Sequence, residues 1–166
     1  MESLQNRVSC CRIIGHLCKF VDGRIIENNC LPLALSLCQD TATEVRVTMC
    51  SQLATLARSI GYLYLLYISS YFRAVESAKY VLPEILELLK DEEIEVRLCA
   101  YESFVSLLDF FDRETRQTKM IPFLKTIHKE FLSEMIVVIA KHFGPVLHTV
   151  YSILLCVVCI SNYFRR

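Results

Sequence analysis

The chain has 166 residues, with 18 Lys and Arg balanced by 18 Asp and Glu, so its formal net charge is zero. That balance excludes a strongly basic nucleic-acid surface and a charged disordered tail. With 54% hydrophobic residues, 4 Gly, 4 Pro and no Ser/Gly-rich linker, the length suits one domain rather than two. Met1–Arg7 lacks a basic region followed by an apolar core, so the reading is cytoplasmic. Nine scattered Cys, an odd number placed mostly on apolar stripes, fit a compartment where thiols stay reduced.

In chain order, Val8 to Phe20 is the first apolar pattern, with Val8, Cys11, Ile14, Leu17 and Cys18 on one stripe. It reads as the second helix of a repeat whose first helix is absent, so the chain is expected to start in mid-repeat. Asp22-Gly23 is expected to close this helix. Leu31–Cys38 and Glu44–Ser59 predict a helix pair. Leu82–Lys90 and Ile94–Phe111 predict another, with Pro83 in a first helical turn and Asp91-Glu92-Glu93 as the tight acidic turn between helices. Asp112–Thr115 reads as a polar link to a third pair, Met120–Phe131 and Ser133–Phe143. Gly144-Pro145 ends it.

These pairs are copies of one unit. Leu31–Asp40 aligns without a gap on Leu82–Asp91, and Glu44-Val45-Arg46 on Glu95-Val96-Arg97, at an offset of fifty-one positions. Ile121-Pro122 follows Leu82-Pro83 by thirty-nine positions, and Arg7 precedes Arg46 by the same interval. The stretch Tyr62–Arg73, twelve long with four tyrosines, has no counterpart in the other copies, and removing it restores the thirty-nine-position period. It is expected to be an insertion between repeats, extending the second helix beyond Ile60 or starting the next one early. A helix pair repeating at about forty residues predicts an all-α solenoid of antiparallel helix pairs. The expected division is residues 1–144 as the repeat segment, with the insertion at 62–73, and residues 145–166 as an apolar C-terminal helix outside the pattern.

The order Leu-Pro, apolar helix, Asp, and Val-Arg at the sixth position after it resembles HEAT repeats. Asp40 with Arg46 and Asp91 with Arg97 carry the pattern. Arg7 carries it alone, since Met1 stands at the place of its Asp. In the third copy Glu130 and Ile136 replace Asp and Arg. Cys11–Gly15, Ser36–Asp40, Glu44–Arg46 and Tyr101–Phe104 resemble the regulatory subunits of protein phosphatase 4, which are similar to the scaffold subunit of phosphatase 2A. The resemblance spans roughly residues 6–60 and 74–144. It implies a ladder of charge-assisted hydrogen bonds between repeats, built from Arg7, Asp40, Arg46, Asp91 and Arg97. It also implies that successive inter-helix turns form a ridge carrying a serine/threonine phosphatase catalytic subunit. The candidate ridge residues are Gln39, Asp40, Thr41, Lys90, Asp91, Glu92 and Glu93.

No catalytic constellation is legible. There is no Gly-x-Ser-x-Gly, no Gly-rich phosphate loop and no aligned Cys and His, so the chain is not expected to be an enzyme or to hold a cofactor. Cys156-Val157-Val158-Cys159 lies in an apolar run without a second pair, and His16, His128, His142 and His148 share no helix face, so no metal site is expected. Acidic residues at Glu92, Glu93 and Glu95 are ordinary for a solvated helix start.

The expected function is therefore a non-catalytic phosphatase regulatory or scaffold subunit. A HEAT adaptor for another process is an alternative. A membrane-associated protein is a further one, because Val146–Phe164 runs for nineteen positions without Asp, Glu, Lys or Arg, close to the length that spans a bilayer. Tyr163-Phe164-Arg165-Arg166 at its end resembles an interfacial flank; a helix capping the last pair is the competing role.

Overall fold

The computed structural model describes residues 3–62 and 70–130. Every regular element among them is helical: α1 Leu4–Leu17, α2 Gly23–Ile25, a π turn Ile26–Cys30, α3 Leu31–Cys38, α4 Thr43–Tyr62, α5 Ser70–Leu88, α6 Ile94–Ser106, α7 Arg113–Thr115, a second π turn Arg116–Met120 and α8 Ile121–Glu130. The all-α solenoid expected from the repeat is the observed fold. The chain divides into two compact units, Met1–Asp112 and Arg113–Arg166. The boundary expected at 144/145, the apolar run from Val146 onward and Cys156/Cys159 lie outside the described residues.

In the first unit α4 is the central element, packed against α1, α3, α5 and α6. Its Val45, Met49, Cys50, Leu53, Leu56, Ala57 and Ile60 are buried at three- and four-residue steps, the spacing that puts side chains on one helical face. Val81, Leu82, Ile85, Leu88 and Leu89 of the α5 region and Val96, Ala100, Tyr101, Phe104 and Leu107 of the α6 region supply the adjoining layers. Each large side chain so buried contributes about 1.5–3 kcal/mol of transfer free energy. Burial also pushes the Tyr101 phenol up to about 12. On α1, Val8, Cys11, Ile14 and Gly15 are buried. Gly15 is where the Gln52 side chain crosses α1, and a Cβ there would run into the Gln52 amide.

Several helix ends differ from the expectation. α1 starts at Leu4 because the Ser3 side chain caps it, accepting the Asn6 N–H at 3.2 Å, and it ends at Leu17 rather than Phe20. Asp22-Gly23 does not close it. No described glycine has positive φ, and Asp22 instead caps the following turn, its carboxylate accepting the Arg24 N–H at 2.8 Å and its carbonyl the Ile26 N–H at 3.0 Å. Asp112–Thr115 is likewise not merely a link, since Arg113–Thr115 is the first turn of the third copy's leading helical run. α6 ends at Ser106, short of Phe111, and α4 continues to Tyr62.

Pro83 is not in a first turn. It lies inside α5, which begins well upstream at Ser70. Pro32 and Pro122 also follow helical backbone, but each comes directly after a π turn, closed by Leu31 N–H to the Ile26 carbonyl and by Ile121 N–H to the Arg116 carbonyl. The extra residue in a π turn shifts the carbonyl that a proline ring would otherwise strike. Asn29 and Thr118 donate back to the Ile25 and Glu114 carbonyls at 3.2 and 2.8 Å, satisfying acceptors in the same stretches. The order short helix, π turn, helix with proline therefore occurs twice, in the first and third copies of the leading helix.

Candidate protein-interaction ridge

The turns 39–42 and 89–93 join the two helices of successive repeats. Each is folded by its own aspartate. Asp40 Oδ1 accepts the Ala42 N–H at 2.8 Å, and Asp91 Oδ1 accepts the Glu93 N–H at 2.9 Å, the local bond that makes Asp suited to a helix approach. The arginine six residues on returns to the same turn. Arg46 Nη1 donates to the Asp40 and Thr41 carbonyls at 2.9 and 3.4 Å, and Arg97 Nη1 to the Asp91 and Glu92 carbonyls, both at 2.8 Å.

The same aspartates receive an arginine from the preceding repeat. Arg7 Nε and Nη2 meet the Asp40 carboxylate at 2.7 and 3.1 Å. Arg46 Nε and Nη2 meet the Asp91 carboxylate at 2.8 and 2.9 Å. Both are bidentate, the geometry that a planar guanidinium offers a carboxylate. The Arg46–Asp91 side chains are 10% and 11% exposed against 24% and 12% for Arg7–Asp40, so the second rung is the better shielded. Burial pushes both carboxyls up, but the guanidinium, the turn N–H and the neighbouring charges outweigh it and hold Asp40 and Asp91 below the usual range. The Asp91 hydrogen bonds in turn hold Arg46 above its usual value.

The structure thus brings together Arg7 with Asp40 and Arg46 with Asp91, and folds Arg97 onto the Asp91 turn. Of the seven ridge candidates, Asp40 and Asp91 face inward to the arginines, while Gln39, Thr41, Lys90, Glu92 and Glu93 are exposed. The side chain of Glu130 lies outside the described residues. Lys90 reaches Glu87 at 3.4 Å, both largely exposed.

Two features of the ridge escaped the sequence reading. Gln39 Nε2 donates to Glu84 Oε1 at 2.6 Å, linking the first turn to α5, and burial pushes the Glu84 carboxyl up, with the Gln39 contact opposing it. Beside this bond a cavity of about 440 Å³ opens between the turns, lined by Cys38, Gln39, Glu87, Leu88 and Asp91. Only the repeat offset of Gln39 to Lys90 marked these positions, and it gives no hint that Glu84 projects from α5 toward the first turn. No group of three metal-ligating side chains occurs among the described residues. No helix among them is long and apolar enough to cross a membrane. His16 is exposed on α1.

Residues 81–111 match the model of the HEAT repeat, the stretch that supplies α6, the second turn and the end of α5. Over 155 residues the chain is 36% identical to serine/threonine-protein phosphatase 4 regulatory subunit 4 of Homo sapiens and 35% identical to that of Mus musculus. These alignments cover 92% of this chain but 16% of each relative, so the chain spans about a sixth of the length of the curated relatives it matches. No solved structure matches it.

Proposed function

We propose that this HEAT-repeat chain, similar along most of its length to a regulatory subunit of phosphatase 4, acts as part of a non-catalytic scaffold. On this reading it holds a serine/threonine phosphatase catalytic subunit along the ridge of inter-helix turns. The observation that carries the proposal is the two-rung ladder, which fixes turns 39–42 and 89–93 side by side while leaving Gln39, Thr41, Lys90, Glu92 and Glu93 exposed. A ridge held this way is preorganised, so a partner meets positioned polar groups and little ordering entropy is lost on binding. Glu87 of α5 lines the cavity and is paired with Lys90, while the exposed Glu92 and Glu93 of the second turn give it a negative face suited to basic groups on a partner.

The test is co-precipitation of the catalytic subunits of phosphatases 4 and 2A with the full chain and with a Glu92→Lys/Glu93→Lys variant. Asp91 is left intact because its carboxylate holds Arg46, and replacing it would confuse lost stacking with lost binding. The expected result is capture of a catalytic subunit by the parent and at least a tenfold loss in the variant, the size that removing two favourable charges from an interface produces. Equal recovery with both proteins removes the ridge from the binding surface. Recovery with neither leaves the HEAT adaptor reading.

A further inference from the structure

The first helix exposes a face that its later copies bury. Ile13, Leu17 and Phe20 follow at four- and three-residue steps along α1 and the turn after it, and they are 55%, 44% and 85% exposed. At the repeat positions of Ile13 and Leu17, α4 carries Gln52 and Leu56, and α6 carries Ser103 and Leu107. Leu56 and Leu107 are fully buried. In both copies this face meets the second helix of the repeat before. The Gln52 side chain crosses α1 at Gly15, and Ser103 Oγ donates to the Cys50 carbonyl of α4 at 2.9 Å. The stripe on α1 is thus a helix-stacking face. The other side of α1 is already committed to the core through Val8, Cys11, Ile14 and Gly15.

Beside the apolar stripe runs a basic row. Arg12, His16 and Lys19 are all exposed, each one position ahead of Ile13, Leu17 and Phe20. α1 itself contains no Asp or Glu. In the same row the later copies place Ser51, Thr55 and Arg58, and then Glu102, Ser106 and Asp109. Of these three helices, only α1 concentrates positive charge there. The face also lacks the carboxylate that fastens one repeat to the one before, since Met1 stands where the later copies have Asp40 and Asp91.

We propose that this face docks an amphipathic helix of a partner protein, one whose apolar stripe is edged by Asp or Glu. Ile13, Leu17 and Phe20 supply the apolar contact, packing side chains of one helix between those of another. Arg12 and Lys19 select the acidic edge. The occupant is a helix because the same face receives a helix twice within this chain, α1 on α4 and α4 on α6. A second copy of α1 does not fit, since it would bring Arg12 and Lys19 against their own charge. The chain's apolar run Val146–Phe164 has no acid to meet them. An anionic lipid surface would meet the charges but has no register to match the stripe. None of these residues belongs to turns 39–42 or 89–93, so the inference stands apart from the phosphatase reading.

The experiment titrates the full chain into two fluorescent peptides and reads anisotropy. Each peptide is a designed helix of about 20 residues with Leu at i, i+4, i+7 and i+11. The row beside the leucines is Glu in one peptide and Lys in the other. The parent should bind the Glu peptide about tenfold or more tighter than the Lys peptide, the effect of complementary against like charge at an interface. In Arg12→Glu/Lys19→Glu the preference should reverse. Leu17→Ser/Phe20→Ser should bind neither peptide. All four side chains are exposed, so both variants should keep the parental helix content by circular dichroism, and Ile13→Ser on the same stripe replaces the second if it does not. Equal binding of the two peptides by the parent, binding of neither, or a preference that survives the charge reversal overturns the proposal. Vesicles of phosphatidylserine in phosphatidylcholine that retain the parent but not Leu17→Ser/Phe20→Ser, while the peptides do not bind, give the face to lipid and overturn it. A dimer in sedimentation equilibrium that the same variant dissolves gives the face to a second copy and also overturns it.

Discussion

An arginine at the sixth position after the turn aspartate does two things that lysine cannot do together. One edge of the Arg46 guanidinium grips the Asp91 carboxylate, while Nη1 stays on the Asp40 and Thr41 carbonyls. Arg46→Ala leaves the Asp91 carboxylate shielded without its guanidinium, and is expected to cost about 2–3 kcal/mol, the range for charge-assisted bonds at a partly buried site. Arg7→Ala should cost less, because the Arg7 side chain is more exposed. Arg97→Ala should also exceed Lys90→Ala, since Arg97 pins two carbonyls of its turn at 2.8 Å, whereas the exposed Lys90–Glu87 pair is worth under about 0.5 kcal/mol. Urea midpoints of the four variants check the order. At this scale the pairing chemistry was legible, because Asp and Arg at fixed spacing is a pattern with a geometric reason. The Gln39–Glu84 bond was not, because two polar residues on different helices meet only through packing.

The leading helix of each repeat was harder to read. Its apolar stripe begins near the proline, so the periodic signal starts at Leu31 and Leu82 and hides the backbone before them. Ile26–Cys30 and Arg116–Met120 are mostly polar and wound as π turns, and no apolar period marks such a segment. Proline at a first helical turn is a sound rule for a helix that starts there; these helices start earlier. The observed starts now give the insertion a register. The leading runs begin at Gly23 and Arg113, each nine positions before its proline. α5 begins further ahead of Pro83, at Ser70, and excising residues 62–73 would leave position 74 as its start, again nine positions ahead. The deletion variant is therefore expected to keep its helix content and to melt no lower than the parent, read by circular dichroism. A lower melting point would place 62–73 in the packing of the repeats.

For the molecule as a whole, the ladder makes repeat stacking sensitive to acid. Asp40 and Asp91 sit below the ordinary carboxyl value of 3.8 in the folded chain. A carboxyl depressed by folding contributes stability that is complete above its unfolded value and is lost as pH falls through its folded value. Thermal midpoints should therefore hold steady from neutral pH to about pH 5 and fall below about pH 4. An Arg7→Ala/Arg46→Ala variant should start lower and fall less steeply. Glu84 acts in the other direction, because its raised carboxyl contributes stability below its ordinary 4.5 that is lost as pH climbs through its folded value. The solenoid class was readable from the repeat alone, but the separation of inward Asp40 and Asp91 from outward Glu92 and Glu93 was not, because acids in one turn look alike until stacking selects one. The rung also has a direction. A repeat presents an aspartate to the repeat before it and an arginine to the one after, so any two units join in the same way, like tiles with a tongue and a groove. Duplicating a whole unit adds one joint and alters none, whereas an extra stretch is harmless only where no joint crosses it. The stretch 62–73 falls between Arg46 and Asp91 in sequence and includes no residue of either turn or rung, so a lineage can lengthen the chain there without removing a partner of any joint.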